Sequence, residues 1–261
     1  MPESDDRLTE QRYWDDYWAG VELPLARVHR PGQLYINEIL DVFDRHLPRD
    51  PSLTAIEIGG TPGAYLAYVH RTFGYGVHCL DYSERGCAAT RENFGLLGIP
   101  GVVHRADVFT DDLELPSFDV VYSLGLIEHF TDLTGVVERH VRLVRPGGWL
   151  LLGVPDFLGI NGWFLRRLGP RVLAQHQLET MDLENWDSFE RRFQLTTLFK
   201  GYVGGFEPSI FLRREDETRA NLVPYTIARA LTRLLHTHFR PLRRLNASWL
   251  SGYAMAVYRV P

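Results

Sequence analysis

Lysine is almost missing from this chain. Of its 28 basic residues only Lys200 is lysine, so the many arginines follow a compositional bias and are not read wholesale as anion sites. Two cysteines, Cys79 and Cys87, stand without C-x-x-C spacing, which excludes a zinc ribbon or a dithiol redox centre and predicts reduced thiols in or near the core. No apolar run reaches the roughly 18 residues of a membrane span, and the acidic start MPESDDRLTEQ lacks the basic and apolar parts of a signal peptide. A cytoplasmic location is the expectation. The formal charge of -5 argues against a general nucleic-acid binder, because phosphate contacts need a net basic surface. No repeat or low-complexity tract is visible. What remains is 261 residues with 45% hydrophobic content, enough for one sizeable α/β core with additions.

The informative segment is Thr54 to Gly63, TAIEIGGTPG. A continuous apolar run reads as a parallel strand buried on both faces, and Gly59, Gly60 and Gly63 then let the backbone approach a ligand. Ala64 to Arg71 reads as the following helix. A second apolar run, Gly76 to Leu80, ends at Asp81, where an acid can take both hydroxyls of a ribose. The loop lacks the G-x-G-x-x-G spacing of a pyrophosphate site. Glu57 would oppose a diphosphate but pair with the ammonium of an amino-acid tail. Both points favour S-adenosylmethionine over NAD.

Three more strands follow the same pattern: Val102 to Asp107, then FDVVYSL from Phe118 to Leu124 leading to Gly125 and Ile127-Glu128-His129-Phe130, then Trp149 to Val154 after Pro146-Gly147-Gly148. In this order the chain, from about Thr54 to Pro155, resembles the class I S-adenosylmethionine-dependent methyltransferases. The matching pieces are the E-x-G loop, the acid after the second strand, R-A-D-V, F-D-V-V-Y-S-L-G-L-I-E-H-F and L-V-R-P-G-G-W-L-L-L. The resemblance implies an α/β fold, a seven-stranded Rossmann-like sheet that is mostly parallel with its last strand antiparallel. It implies that Glu57, Gly59, Gly60, Thr61 and Gly63 hold the methionine moiety, Asp81 with Tyr82 the ribose, and Asp107 with Val108 the adenine. Leu124 and Gly125 complete the cofactor site. Thr61 stands where the family's E-x-G-x-G-x-G loop has its middle glycine.

Methyl transfer from a sulfonium needs alignment and, for a hydroxyl, removal of a proton. Candidate catalytic residues are His129, after the fourth strand, and His176, in a later segment. Some related ubiquinone-pathway and RNA-end methyltransferases carry E-x-x-E-H here and bind a divalent ion; this chain has Gly125 at the first acid, leaving Glu128 and His129 as metal candidates that would recruit His176, Glu179 or substrate for Mg2+.

The remainder frames that domain. Residues 1–50 are expected to form a helical cap, with a helix from Gly32 to Leu47 and an aromatic stretch whose Tyr13, Trp14, Tyr17 and Trp18 suit stacking on a substrate. Residues 51–261 are expected to form the methyltransferase domain, with insertions at about 156–188 and 218–248. Phe189 to Gly201 reads as a helix, Phe206 to Arg213 as the sixth strand and Trp249 to Arg259 as an antiparallel edge strand. The stretch from Pro155 to Asp182, with N-G-W-F-L-R-R-L-G-P and H-Q-L-E-T-M-D, resembles methyltransferases of bacterial polysaccharide and glycolipid biosynthesis. That likeness implies a saccharide hydroxyl as acceptor, contacted also by Glu179; the alternatives are O- or N-methylation of a natural-product scaffold and a non-catalytic S-adenosylmethionine-binding protein. From Thr218 to Pro261 there are seven arginines and no acids, and Pro224 to Phe239 reads as a helix with one basic side, an expected contact for an anionic membrane or lipid-linked acceptor.

Overall fold

The computed structural model describes residues 6–30, 33–110, 113–206, 226–227, 230, 234 and 245–261. The chain begins with helices α1 (Gln11–Trp18) and α2 (Leu34–His46), then alternates β1 (Thr54–Ile58), α3 (Ala64–Phe73), β2 (Gly76–Asp81), α4 (Glu84–Leu97), β3 (Val102–Arg105) and β4 (Phe118–Leu124). It continues through α5 (Leu133–Leu143), β5 (Val144–Pro155), the short helices α6 (Gly159–Leu168), α7 (Pro170–Ala174) and α8 (Asp187–Arg192), then β6 (Thr196–Val203) and β7 (Tyr253–Arg259). The strands form one sheet in the order β3-β2-β1-β4-β5-β7-β6. Strand β7 runs antiparallel to both its neighbours, and the β1, β2, β3, β4 and β5 pairings are parallel.

Successive side chains of a strand point to opposite faces, so β1 divides its residues between two cores. Ile56 and Ile58 face α5, Trp186 and Phe189, while Ala55 faces α2 and α3 through Ile39, Leu40, Phe43, Leu66 and Val69. Glu57 falls on the α2/α3 side. The register of β1 against β4 pairs it with Tyr122, which is why an acid at this point meets a phenol. Strand order reverses between β1 and β4, and a sheet of this kind opens a crevice at the carboxyl ends of its strands there.

Two features differ from the sequence reading. Phe189 to Gly201 is not a helix: α8 stops at Arg192, Gln194 takes a positive φ of 52°, and Thr196 to Val203 is the sixth strand. Its β-branched and aromatic residues favour a pleated surface, but a register shift between Thr197 and Phe199 breaks the alternation that would have marked it. Nor is β7 an edge strand, because β6 pairs on its outer side. Of the strand expected at Phe206 to Arg213 only Phe206 is described, and it lies outside β6. The expected basic helix Pro224 to Phe239 and the 218–248 insertion fall largely outside the described residues. Residues 156–188 form α6, α7, two 3-10 turns and the start of α8. No helix among the described residues is long and apolar enough to cross a membrane.

The segment before α2 is tied to the glycine turn by one side chain. Asn93 of α4, fully buried, accepts from the Leu25 N–H at 2.7 Å and donates to the Leu25 carbonyl at 2.8 Å and the Pro62 carbonyl at 2.7 Å. Asn93→Ala is expected to destabilise the protein by about 2 to 3 kcal/mol, since it leaves buried backbone groups without partners. A chemical denaturation curve that moves by less than about 0.5 kcal/mol would show that water replaces the amide.

Candidate active site

The crevice is a cleft of about 900 Å³ at the carboxyl ends of β1, β2 and β4, with α1 and the chain before α2 as its outer wall. Glu57, Gly59, Gly60, Thr61, Asp81, Tyr82, Asp107, Val108, Leu124 and Gly125 all line it, as do Glu128, His129, Trp14, Tyr17 and Trp18. Gly63 sits behind the turn, with φ +80°, against Phe94. Tyr13, His176 and Glu179 do not line the cleft. Tyr13 packs edge-on to Trp14 at 5.1 Å, and Glu179 lines a second, polar depression with Asp132 and Arg191.

Glu57 is a buried charge-bearing group of the cleft. Burial pushes its carboxyl up to about 8, against the Tyr122 hydroxyl, which donates to Oε2 at 3.2 Å, and the charge of Arg27. The turn packs so closely over it that a Cβ on Gly60 would lie 2.6 Å from the Glu57 Cγ. Gly60 is therefore required by contact. Thr61 has a different role from the glycine it replaces: its hydroxyl donates to Asp81 Oδ2 at 2.8 Å, while the Ser83 N–H holds Oδ1 at 2.8 Å. A carboxylate offers about four acceptor sites, so Asp81 is fixed in place with lone pairs left for two ribose hydroxyls. Burial raises the Asp81 pKa, and the bonds from Ser83 and Thr61 oppose that rise.

Sequence reasoning missed two arginines. Arg27 lines the cleft, lies 5.3 Å from the Tyr65 ring centroid, and keeps its Nε buried without a hydrogen-bond partner. With Glu57 ionised it would present one positive and one negative group to the cleft. Arg7 lines the other end, ion-paired with Asp107. No local pattern marks either residue, because each is brought to its site by chain that is remote in sequence.

Below Gly125, Glu128, His129 and His176 form a buried cluster whose ligand-type atoms all lie within 4.8 Å of one another. The His129 Nδ1–H donates to the Gln175 carbonyl at 2.8 Å and the His176 Nδ1–H to the Val172 carbonyl at 2.5 Å, so each neutral ring carries its lone pair on Nε2. The His129 ring stands 4.4 Å from His176 and 5.1 Å from Trp14, between the cleft and the interior. As a donor set, two imidazoles and a carboxylate suit a borderline metal better than magnesium, which prefers oxygen ligands.

The sheet order, with a cleft at the carboxyl ends of its strands, is that of the Rossmann-like methyltransferase fold. Residues 56–152 match the family model described as Methyltransferase domain. The chain is 30% identical over 147 residues to the glycine/sarcosine/dimethylglycine N-methyltransferase of Actinopolyspora halophila, covering 53% of this chain and 25% of that protein. It is 26% identical over 148 residues to the ubiquinone biosynthesis O-methyltransferase of Methylocella silvestris, covering 52% of this chain and 57% of that one. Among solved structures, a SAM-dependent methyltransferase from Thiobacillus denitrificans in complex with S-adenosyl-L-homocysteine superposes with a TM-score of 0.58 at 14% identity, over 97% of this chain and 99% of that one.

If Glu57 must ionise to take a ligand's ammonium, its raised pKa sets a sign. Below about pH 8 the empty site holds a proton that binding releases, so affinity for S-adenosylhomocysteine is expected to rise with pH and level off above 8. For the protein alone the sign reverses: the folded state holds that proton more tightly than the unfolded state, so stability falls as pH rises from 4.5 through about 8. Calorimetry at pH 6.5 in buffers of different ionisation enthalpy measures the released proton; no release there would remove Glu57 from ammonium recognition.

Proposed function

We propose that this chain transfers a methyl group from S-adenosylmethionine to a hydroxyl oxygen of a ring-bearing small molecule, a saccharide or glycan-type acceptor. The observation that carries the reading is His129, a histidine with Nδ1–H bonded to a carbonyl, at the wall of the cleft next to the Gly125 turn. Bound S-adenosylmethionine supplies an electrophilic methyl on a positively charged sulfur. Glu57 and Arg27 hold the amino-acid end and Asp81 the ribose. The acceptor's hydroxyl proton would go to His129 Nε2 as its oxygen takes the methyl and the S–CH3 bond breaks, giving a methyl ether, an imidazolium and neutral S-adenosylhomocysteine.

The acceptor class is supported by an aromatic wall, in which Tyr17, Trp18, Tyr35 and Tyr253 line the cleft. Aromatic faces with polar tips suit a ring that is apolar on its faces and hydroxylated at its edge. The same wall suits a natural-product scaffold, and the matched relatives include an O-methyltransferase and an N-methyltransferase. A panel of saccharide, phenolic and amine acceptors separates these readings. Intact S-adenosylhomocysteine binding with transfer to none of them would leave a binding protein.

Glu128, His129 and His176 would hold a divalent ion, whose chemistry would be to acidify the acceptor hydroxyl. His129→Ala is expected to lower kcat by on the order of 10² to 10⁴ and to leave S-adenosylhomocysteine affinity within about threefold, below 1 kcal/mol. Full activity in EDTA together with that loss assigns proton removal to the imidazole. Activity lost in EDTA and restored by a divalent ion, with loss also in Glu128→Gln, assigns it to the metal. If kcat stays within a few-fold in both variants, the proton is not handled here.

A further inference from the structure

The chain before α1 is a strap bound along the segment after β4, with Arg7 lining the cleft. Arg7 forms an antiparallel bridge with Phe130, the Leu8 N–H donates to the His129 carbonyl at 2.9 Å and the Thr131 N–H to the Asp6 carbonyl at 2.8 Å. Next along the strap, Thr9 accepts from the Trp14 indole at 3.1 Å, and α1 is secured by Asp15, which accepts from the Ser83 hydroxyl at 2.6 Å. The strap therefore delivers one side chain, Arg7, to a fixed place.

That place is the end of the cleft beyond the ribose acid. Asp81 pairs with Arg105 across β2 and β3, and the Ala106 N–H donates to the Asp81 carbonyl at 3.1 Å, so Asp107 follows directly on the Asp81 side of the cleft. Arg7 pairs with Asp107 Oδ1, which also accepts from the Phe109 N–H at 2.9 Å. The guanidinium lies 5.0 Å from the Tyr82 ring centroid and 5.2 Å from that of Phe109, and its Nε is buried without a hydrogen-bond partner. A planar cation held against aromatic rings is a preorganised donor. Beside it, among the described residues, Asp107 Oδ2 makes no hydrogen bond.

We propose that Arg7 is a specificity residue for the cofactor base: its guanidinium and the Asp107 carboxylate form an adjacent donor and acceptor that together read the edge of adenine. Adenine offers an acceptor at N1 next to a donor at N6. Hypoxanthine inverts both, with N1–H as donor and O6 as acceptor. A buried donor and acceptor that meet the inverted edge are left unsatisfied, which is how a polar site rejects a near-isosteric ligand. The same strap touches His129 through Leu8, so filling the base subsite and ordering the proton acceptor depend on one segment of chain. The proposal rests on S-adenosylmethionine as the cofactor and is independent of the acceptor.

The test compares calorimetric affinities of the whole protein for S-adenosylhomocysteine and S-inosylhomocysteine. Wild type is expected to favour the adenine compound by on the order of 10² or more. Arg7→Ala is expected to weaken S-adenosylhomocysteine by on the order of tenfold and to shrink the preference. A loss caused by misfolding would weaken both ligands alike, so the ratio is the deciding quantity. Arg7→Gln, which keeps an N–H donor without the charge, is expected to retain part of the preference, and it carries the test if the alanine variant does not fold. Unchanged or tighter S-adenosylhomocysteine binding in Arg7→Ala would overturn the proposal, making Arg7 a plug that leaves Asp107 when the base arrives. An unchanged ratio in both variants would overturn it as well. No binding of either ligand to wild type would instead refute the cofactor assignment on which the proposal rests.

Discussion

A carboxylate at the end of a central strand, buried under a turn of backbone, is the constraint around which this molecule is arranged. Glu57 shares its strand face with Ala55 and sits on the α2/α3 side of the sheet, where an ionised group is costly without compensation. Tyr122 and Arg27 supply part of that compensation, and burial still dominates. An ionised carboxyl in this place would suit a ligand's ammonium and oppose a diphosphate. Gly60 follows from the same constraint, because the turn closes onto the Glu57 side chain.

The outer wall is made by chain that precedes the sheet. Asn93 joins Leu25 to the turn at Pro62, Asp15 caps the start of α4 through Ser83, and Arg7 reaches Asp107. Each contact joins the first thirty residues to a loop at the carboxyl end of a strand. The segment before α2 thus lines the cleft as well as covering it. Trp14, between Thr9 and His129, extends that surface to the group assigned the proton.

How much of this was legible in the sequence follows from how local each signal is. Strands β1, β2 and β4 were legible because a parallel strand buried on both faces leaves a continuous apolar run, and Asp81 and Asp107 because the first ends its strand and the second comes two residues after its own. Strand β6 was not: Thr196, Thr197 and Lys200 mix with aromatics at an outer edge, and the register shift removes the period of two. Helix periodicity matched that segment by default. Arg7 and Arg27 carried no signal at all in a chain where arginine stands for nearly every basic residue. Thr61 looked like a flaw in the glycine loop, and the structure makes it the residue that fixes Asp81.

His176 and Glu179 show why membership of a segment does not determine placement. They lie three residues apart, yet the Gln177 N–H binds the Glu128 carbonyl at 2.7 Å and turns the chain so that His176 packs inward on His129 and Phe157 while Glu179 faces a separate depression. Neither lines the main cleft. His176 packs on two residues that line the cleft, His129 and Phe157. Its own orientation is set by a carbonyl of α7, so the irregular helices after β5, which show no amphipathic period, determine how the catalytic candidate is held.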